Sequence, residues 1–163
     1  MKIIEAETGE VKSCKGDYIL KSNAIGSCVA VAAYSKTEKK IGAIAHIMLP
    51  GKSPDKDNED KTRYAYDAIN ELIKQMTLLG ANQKDIEVCL VGAGNVLKRN
   101  DDTICQDNIN SVIEHLNKKN IKIMAKSLGG TKRRTVTFDV HNGNIFYTIG
   151  DGNNELLWKI IRV

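Results

Sequence analysis

Two residues in the first third of the chain have the types and surroundings that a nucleophilic mechanism requires. Cys28 stands in IGSCVAV, where Gly26 and Ser27 precede the thiol and an apolar run follows it. His46 lies in IGAIAHIML, where an imidazole is costly unless it has a hydrogen-bond partner or a task. If the two apolar runs form a hairpin, the start of one strand lies opposite the end of the other. The pattern therefore predicts that Cys28 and His46 come within reach of each other.

Such a pair predicts a cysteine nucleophile that a histidine base activates. An imidazole beside a thiol lowers the thiol pKa from about 8.5 toward neutrality and supplies a thiolate. Gly26 permits a tight or positive-φ turn, and the backbone N–H groups at Gly26 and Ser27 are available to stabilise an oxyanion. Alternatively, Cys28 is a small buried hydrophobe and His46 a satisfied core histidine. The residues alone leave both interpretations open.

The remaining cysteines and histidines predict no second site. Cys14, Cys89 and Cys105 form no CxxC pair and have no histidine at metal-finger spacing, so neither a disulfide framework nor a metal site is indicated. We expect these three to be structural or incidental. His115 falls on the polar side of a helical pattern and His141 falls in a turn, so both are predicted to be solvated surface groups.

The pattern of apolar runs and breaks predicts a mixed α/β domain whose strands pair antiparallel. The near-continuous apolarity around Cys28 and His46 indicates strands buried on both faces. The polar segment 51–62 is expected to be a mobile surface loop, and the GAGNV turn at 92–96 to shape a site wall. Strands are predicted over 18–20, 29–34, 41–49, 85–91, 121–125, 135–140, 145–149 and 156–161, and helices over 62–79 and 107–119.

Length and charge restrict the class of protein. The 163 residues are expected to form a single domain over 1–163, which is long enough to bury a hydrophobic core without stabilising cross-links. The net charge of +4 is spread along the chain, so nucleic acid is not predicted as a partner. The basic run at 132–134 is interpreted as a solvated strand entry or a contact with a partner. No apolar segment is long enough to span a membrane, and the first residues lack the apolar core of a secretory signal. We therefore expect a cytoplasmic protein without membrane insertion.

Five segments of the chain carry motifs of a known family: SNAIGSCVAV, IGAIAHIMLP, RYAYDAINELIKQMTLLGA, GAGNV and LGGTKRRTVTFDVHNGNIFY. Together they resemble the CheD family of chemoreceptor glutamine deamidases from bacterial and archaeal chemotaxis. The resemblance covers most of residues 18–150 and rests on the combination of the GSC and AHIMLP motifs. It implies an α/β sandwich of two mixed sheets with helices packed outside, the fold shared with cytotoxic necrotizing factor toxins.

The resemblance also implies an activity and a set of roles. The family converts glutamine side chains on the cytoplasmic helices of chemoreceptors to glutamate with release of ammonia, without a cofactor or metal. Cys28 would attack the amide carbonyl and His46 would transfer the protons. The family's third member is a threonine six residues before the cysteine, which here is Ser22. Asn23, its neighbour, is the alternative orienter of the imidazole.

A CheC-type phosphatase of the response regulator is the second partner that the resemblance implies. An alternative function follows, in which the chain is mainly a binding module that regulates such a phosphatase with little turnover. A further alternative is a cysteine hydrolase of small amides or peptides. A chain without Cys28 or His46 would favour the binding module, and this chain has both.

Overall fold

The computed structural model describes residues 1–163 and contains ten strands and two helices in three layers. Turns of 3₁₀ helix at Lys61–Arg63 and Gln83–Asp85 precede α1 and β6, respectively. The elements are β1 Lys2–Glu5, β2 Val11–Lys15, β3 Tyr18–Ile25, β4 Val29–Ser35, β5 Ile41–Ile47, α1 Ala65–Leu78, β6 Ile86–Gly92, α2 Ile104–Lys118, β7 Lys122–Leu128, β8 Arg134–Asp139, β9 Asn144–Ile149 and β10 Glu155–Lys159.

The strands form two five-stranded sheets. The outer sheet has the order β1-β3-β8-β9-β10 and the middle sheet the order β2-β5-β4-β6-β7. Each contains one parallel pair, β1 with β3 and β6 with β7, and its other pairs are antiparallel. Both sheets are therefore mixed, and the predicted α/β sandwich is confirmed. The two parallel pairs depart from the expectation of antiparallel pairing.

The middle sheet is covered on both faces, which explains the apolar runs around the candidate residues. Every residue of β4 and β5 is buried. One core fills the space between the two sheets, and a second lies between the middle sheet and the helices α1 and α2. The side chains of β4 and β5 alternate between these cores, so the face toward the outer sheet and the face toward the helices are both apolar.

Helix α1 matches the predicted spacing and ends as the sequence indicates. Its buried side chains recur at helical spacing and pack on the middle sheet. Gly80, two residues after the last helical residue, has φ +112°, a left-handed geometry that favours glycine at the end of a helix. The helix begins at Ala65 rather than Thr62, because the 3₁₀ turn and an extended Tyr64 occupy the intervening positions.

Helix α2 buries a polar stripe, which the pattern of apolar residues did not reveal. Asn108, Ser111 and His115 recur on one face, and all three are buried. The His115 ring stacks on Tyr66 of α1 with ring centroids 4.2 Å apart, and its Nε2 lies 2.9 Å from the Asn70 Oδ1. The prediction of a solvated His115 is therefore wrong, because the polar face of α2 is the face that packs against α1.

Three strand segments at the start of the chain were missed. β1 and β2 are short edge strands with exposed charged residues, so they lack a clear alternating pattern. β3 continues five residues beyond the predicted Leu20, through a polar stretch whose β propensity is low. Neither α1 nor α2 has the length and apolarity needed to span a bilayer.

Candidate active site

Ser22 and His46 meet between the two sheets. Ser22 comes from β3 of the outer sheet and His46 from β5 of the middle sheet, and both are buried. The Ser22 Oγ lies 2.8 Å from the His46 Nδ1 and donates to the Ala6 carbonyl at 2.7 Å. Because the single hydroxyl proton goes to that carbonyl, the Ser22 oxygen accepts from the Nδ1–H of His46. The imidazole is therefore the tautomer whose Nε2 carries the lone pair.

The segment between β1 and β2 fixes both of these residues. Ala6 is held by its own N–H, which donates to the Lys21 carbonyl at 2.9 Å. Gly9 N–H donates to the His46 carbonyl at 2.8 Å, and His46 N–H donates to the Glu10 carbonyl at 3.0 Å. These are hydrogen bonds between backbone groups, so no residue type in the sequence indicates them.

The alternation of side chains along β3 decides which of two neighbouring polar residues faces the imidazole. The register with β8 shifts between Ser22 and Ile25, and Ala24 has φ +52°. Ser22 follows the buried Leu20 by two residues, ahead of this shift, and therefore lies inside the sandwich, while Asn23 is exposed and donates to Glu5 Oε1 at 3.3 Å. The structure therefore brings Ser22, and not Asn23, to His46.

Cys28 lies immediately before β4, on the same face as His46. In the β4–β5 register Ala30 pairs with His46, and Cys28, two residues earlier, packs against the same inter-sheet core as Ala30. Its side chain is partly exposed. The His46 Nε2 is buried and has no hydrogen-bond partner. The unprotonated ring nitrogen is therefore free, on the face of the sheet that also carries the thiol.

The pKa shifts describe a neutral resting pair. Burial raises the pKa of the Cys28 thiol, although the Cys28 N–H beside its own sulfur opposes this effect. Burial lowers the pKa of His46 below 6.5, and the nearby Ala6 carbonyl opposes this shift. The expected lowering of the thiol pKa is not found, because no hydrogen bond joins the imidazole to the sulfur in this geometry. Hydrogen bonds of this kind are often long in free enzymes and shorten when substrate binds.

The turn between β3 and β4 leaves its N–H groups available. The carbonyls of Gly26 and Cys28 accept from Gly94 N–H at 2.8 Å and Ala93 N–H at 2.7 Å. The N–H groups of Gly26, Ser27 and Cys28 donate to no backbone carbonyl. Contrary to expectation, Gly26 does not supply a positive φ, because Ala24 is the left-handed residue of this segment.

The GAG turn after β6 packs directly against the nucleophile. Gly92 has φ +131°, and a Cβ there would lie 2.3 Å from the Cys28 carbonyl oxygen. At Gly94 a Cβ would lie 2.6 Å from the Lys132 carbonyl oxygen. Both positions therefore require glycine, and the expectation that 92–96 shapes a site wall agrees with this packing.

A cavity of about 530 Å³ opens beside Cys28. Its walls come from the β3–β4 turn, the segment after β6, the start of α2 and Arg133, and none of residues 51–62 reaches it. Two arginines and two aspartates lie on its walls. The lining residues are Ala24, Gly26, Ser27, Cys28, Gly94, Asn95, Val96, Leu97, Arg99, Asp101, Asp102, Thr103, Ile104, Cys105 and Arg133.

Arg134 stabilises the segments next to this cavity through hydrogen bonds to backbone carbonyls. The prediction of a solvated basic run fails for this residue, which is 7% exposed, whereas Lys132 and Arg133 are exposed. Its guanidinium donates to the Gly92 carbonyl at 3.2 Å and to the Gly129 carbonyl at 2.5 Å. The side chain thereby ties the two glycine turns together.

The other cysteines differ from Cys28 in their surroundings. Burial raises the pKa of Cys14 and of Cys89 to about 12. Burial and Asp102 raise the pKa of Cys105 to about 11, and Cys105 lines the same cavity as Cys28. No three His, Cys, Asp or Glu side chains gather as metal ligands would.

Comparisons with known proteins give consistent results. A family model described as CheD chemotactic sensory transduction matches residues 48–148, a segment that begins two residues after His46. A Chlorobium luteolum protein named probable chemoreceptor glutamine deamidase CheD is 37% identical over 155 residues, covering 95% of this chain and 77% of the relative. A Methanococcus maripaludis protein of the same name is 33% identical, covering 91% of this chain and 96% of the relative. The chemoreceptor glutamine deamidase CheD of Thermotoga maritima is 29% identical, covering 94% and 96%.

Proposed function

The chain belongs to the CheD family, and from this premise and the geometry of its site we propose that it is a cysteine-dependent protein-glutamine glutaminase. It hydrolyses the side-chain amide of particular chemoreceptor glutamines and releases ammonia. The observation that carries the proposal is the buried His46 Nε2, which has no partner and lies on the face of the sheet that carries Cys28. A buried imidazole nitrogen without a partner is costly unless it serves as a base.

In the first step the Cys28 sulfur attacks the amide carbonyl of the glutamine side chain. The thiol proton passes to the His46 Nε2 as the carbon–sulfur bond forms, which needs no preformed thiolate. Negative charge develops on the carbonyl oxygen. The unused N–H groups of Gly26, Ser27 and Cys28 are the donors available to stabilise it.

In the second step the tetrahedral intermediate expels ammonia and leaves a thioester. The carbon–nitrogen bond breaks as His46 returns its proton to the departing nitrogen. The same Nε2 then takes a proton from water, whose oxygen attacks the thioester carbonyl. As the carbon–sulfur bond breaks, His46 passes that proton to the sulfur, which restores the Cys28 thiol, and the side chain leaves as a carboxylic acid that ionises to glutamate.

Ser22 orients the base during both steps. Its oxygen accepts from Nδ1–H, so it keeps the proton off Nε2 in the resting state and supports the imidazolium when that forms. The Ala6 carbonyl fixes the direction of the hydroxyl proton. Serine can therefore fill the position of the family's threonine, because a neighbouring carbonyl supplies the restraint that a β-methyl otherwise gives.

The surroundings of the cavity fit a glutamine on a protein surface. The space beside Cys28 is open to solvent and large enough for one side chain and its flanks. The net charge of +4 favours approach to an acid-rich receptor helix, whereas on the cavity wall Arg99 and Arg133 are balanced by two aspartates. Because the glutamines of interest lie on cytoplasmic helices of receptors, the protein acts in the cytoplasm.

The proposal is tested by mass spectrometry of a purified chemoreceptor cytoplasmic fragment incubated with the protein. We expect a gain of about 1 Da at discrete glutamines, the change from amide to acid that hydrolysis produces. Cys28→Ala and His46→Ala should abolish the gain. Cys105→Ser is the matched control, because this cysteine lines the same cavity and should be dispensable. Deamidation that persists in Cys28→Ala contradicts the proposal.

The family resemblance also supports a CheC-type phosphatase as a second partner. Such a phosphatase would compete with receptor if it binds over the cavity beside Cys28. Titration of the purified phosphatase into the deamidation assay tests this. Inhibition that higher receptor concentration relieves supports a shared surface, and binding without inhibition places the phosphatase elsewhere.

A further inference from the structure

Asn108 of α2 links the two segments that carry the nucleophile and the base. Its side chain is buried, with 0% of its surface exposed. The Nδ2 group donates to the Ser27 carbonyl at 3.0 Å and to the Met48 carbonyl at 3.1 Å. Ser27 directly precedes Cys28, and Met48 follows His46 by two residues. One amide therefore spans the β3–β4 turn and the end of β5.

The bond to Ser27 fixes more than a distance. The Ser27 carbonyl and the Cys28 N–H belong to one planar trans peptide unit, so they point in opposite directions. When Asn108 holds the carbonyl, the Cys28 N–H must point away from α2. It lies beside the Cys28 sulfur and donates to no backbone carbonyl. That position adjoins the carbonyl oxygen of any acyl group on the sulfur.

We propose that Asn108 is a positioning residue that fixes the Ser27–Cys28 peptide plane, and with it the oxyanion-stabilising N–H, relative to the strand that carries His46. This inference rests on the proposed function, because it assigns a role within that reaction. Asn108 touches neither substrate nor thiol and acts only through the peptide unit. Its Oδ1 is buried without a partner, so the amide at this position leaves one hydrogen-bond acceptor unsatisfied.

Asn108→Ala removes both Nδ2 donors and frees the peptide unit to rotate. We expect kcat for receptor deamidation to fall about 10²-fold with KM unchanged, because a small misplacement of reacting groups has an effect of that order. The variant should also lose stability, since two partly buried carbonyls lose their donors. A loss of activity alone therefore does not separate positioning from folding.

Ser111→Ala supplies the matched control. Ser111 lies one turn further along the same face of α2 and is also buried. Its Oγ accepts from the Gly51 N–H at 2.7 Å, so it too ties α2 to the chain that follows β5, but away from Cys28. We expect Ser111→Ala to lower stability with kcat unchanged. An equal loss of kcat in both variants overturns the inference.

Alkylation of Cys28 by iodoacetamide tests the peptide orientation without any receptor. The rate is measured against pH by mass spectrometry of the peptide that contains Cys28. In Asn108→Ala the midpoint should move upward, because the Cys28 N–H no longer supports the thiolate. If this variant does not fold, Asn108→Ser, which keeps one donor, should show a smaller upward shift. A midpoint equal to that of the wild type in a folded variant overturns the inference.

The two measurements separate this inference from the proposed function. If the wild type deamidates no receptor glutamine, the proposed function fails, whatever the alkylation midpoint does. If the wild type deamidates and Asn108→Ala retains the kcat and the midpoint of the wild type, the assignment of Asn108 fails alone.

Discussion

At the scale of single residues, the chemistry depends on one proton being kept off one nitrogen. The Ser22 hydroxyl can donate only once and gives its proton to Ala6. Its oxygen then accepts from Nδ1 of His46, which leaves Nε2 unprotonated. The direction of a single hydroxyl thus determines which ring nitrogen is the base.

The protonation state of His46 gives the first prediction. Burial lowers its pKa below the usual 6.5 and raises that of Cys28, so the free enzyme should hold a neutral imidazole and a neutral thiol at pH 7. We expect ¹⁵N NMR of labelled histidine to show protonated Nδ1 and unprotonated Nε2, with a titration midpoint below 6.5. The kcat/KM should fall as the pH drops through this midpoint, because protonated His46 cannot act as a base.

The chain contains three histidines, and loss of one signal in His46→Gln identifies the resonance. An imidazolium at pH 7 in the free enzyme contradicts the neutral pair. It would mean that the thiol has already given up its proton before substrate binds.

At this scale, the residues that could be predicted were those whose side chains can act as nucleophile, base or hydrogen-bond partner. Cys28, His46 and Ser22 were identified from their types and from the family resemblance, and the structure brings Ser22 and His46 into contact. The Ala6 carbonyl and the Asn108 amide were not identified as parts of the site. A backbone carbonyl has no residue type, and Asn108 reaches Ser27 across 81 residues of chain.

At the scale of elements, a bulge in β3 positions the turn that leads to Cys28. Ser22 lies inside the sandwich by its alternation with Leu20, and an extra residue between Ser22 and Ile25 brings Ile25 to the same buried side. The backbone geometry at Ala24 is unfavourable, because a left-handed φ of +52° disfavours every residue with a Cβ. Alanine tolerates this geometry better than a β-branched residue does.

Ala24→Val tests the role of the bulge. We expect the free energy of unfolding in urea to fall by about 1 kcal/mol or more, because valine resists positive φ strongly. The kcat should fall as well, because relaxation of the bulge displaces the β3–β4 turn, which follows Ile25 and carries Cys28. Asn23→Val, at the adjacent exposed position, is the control and should leave kcat close to that of the wild type. Wild-type stability in Ala24→Val would show that the bulge does not need the left-handed residue.

The elements that were predicted well are those with strong apolar periodicity. The strands β4 and β5 and the helix α1 are of this kind, and all three have the predicted type. The errors fall on β1, β2 and the second half of β3, which are edge strands or polar stretches. The polar face of α2 was misjudged because burial there relies on hydrogen bonds and ring stacking rather than on apolar area.

At the scale of the whole molecule, the site exists only where the two sheets are docked. Ser22 belongs to the outer sheet. His46 belongs to the middle sheet, and Cys28 immediately precedes strand β4 of that sheet. The helices reach the site from the opposite face, through Asn108 and the cavity wall at the start of α2. All three layers therefore contribute to one reaction centre. The mixed α/β class follows from the apolar pattern and the sandwich from the family resemblance, whereas the docking contacts depend on distant pairs that a single sequence does not reveal.

The central claim is that Cys28 forms a thioester with the glutamine side chain, and trapping with hydroxylamine tests it most directly. A receptor fragment is incubated with the protein and increasing hydroxylamine, and the modified glutamines are analysed by mass spectrometry. A thioester partitions between water and hydroxylamine, so we predict a hydroxamate about 16 Da heavier than glutamine, at the same positions that gain about 1 Da without the trap. Both products should vanish in Cys28→Ala. Continued deamidation without any hydroxamate at saturating hydroxylamine would contradict the account, because water would then attack the amide directly.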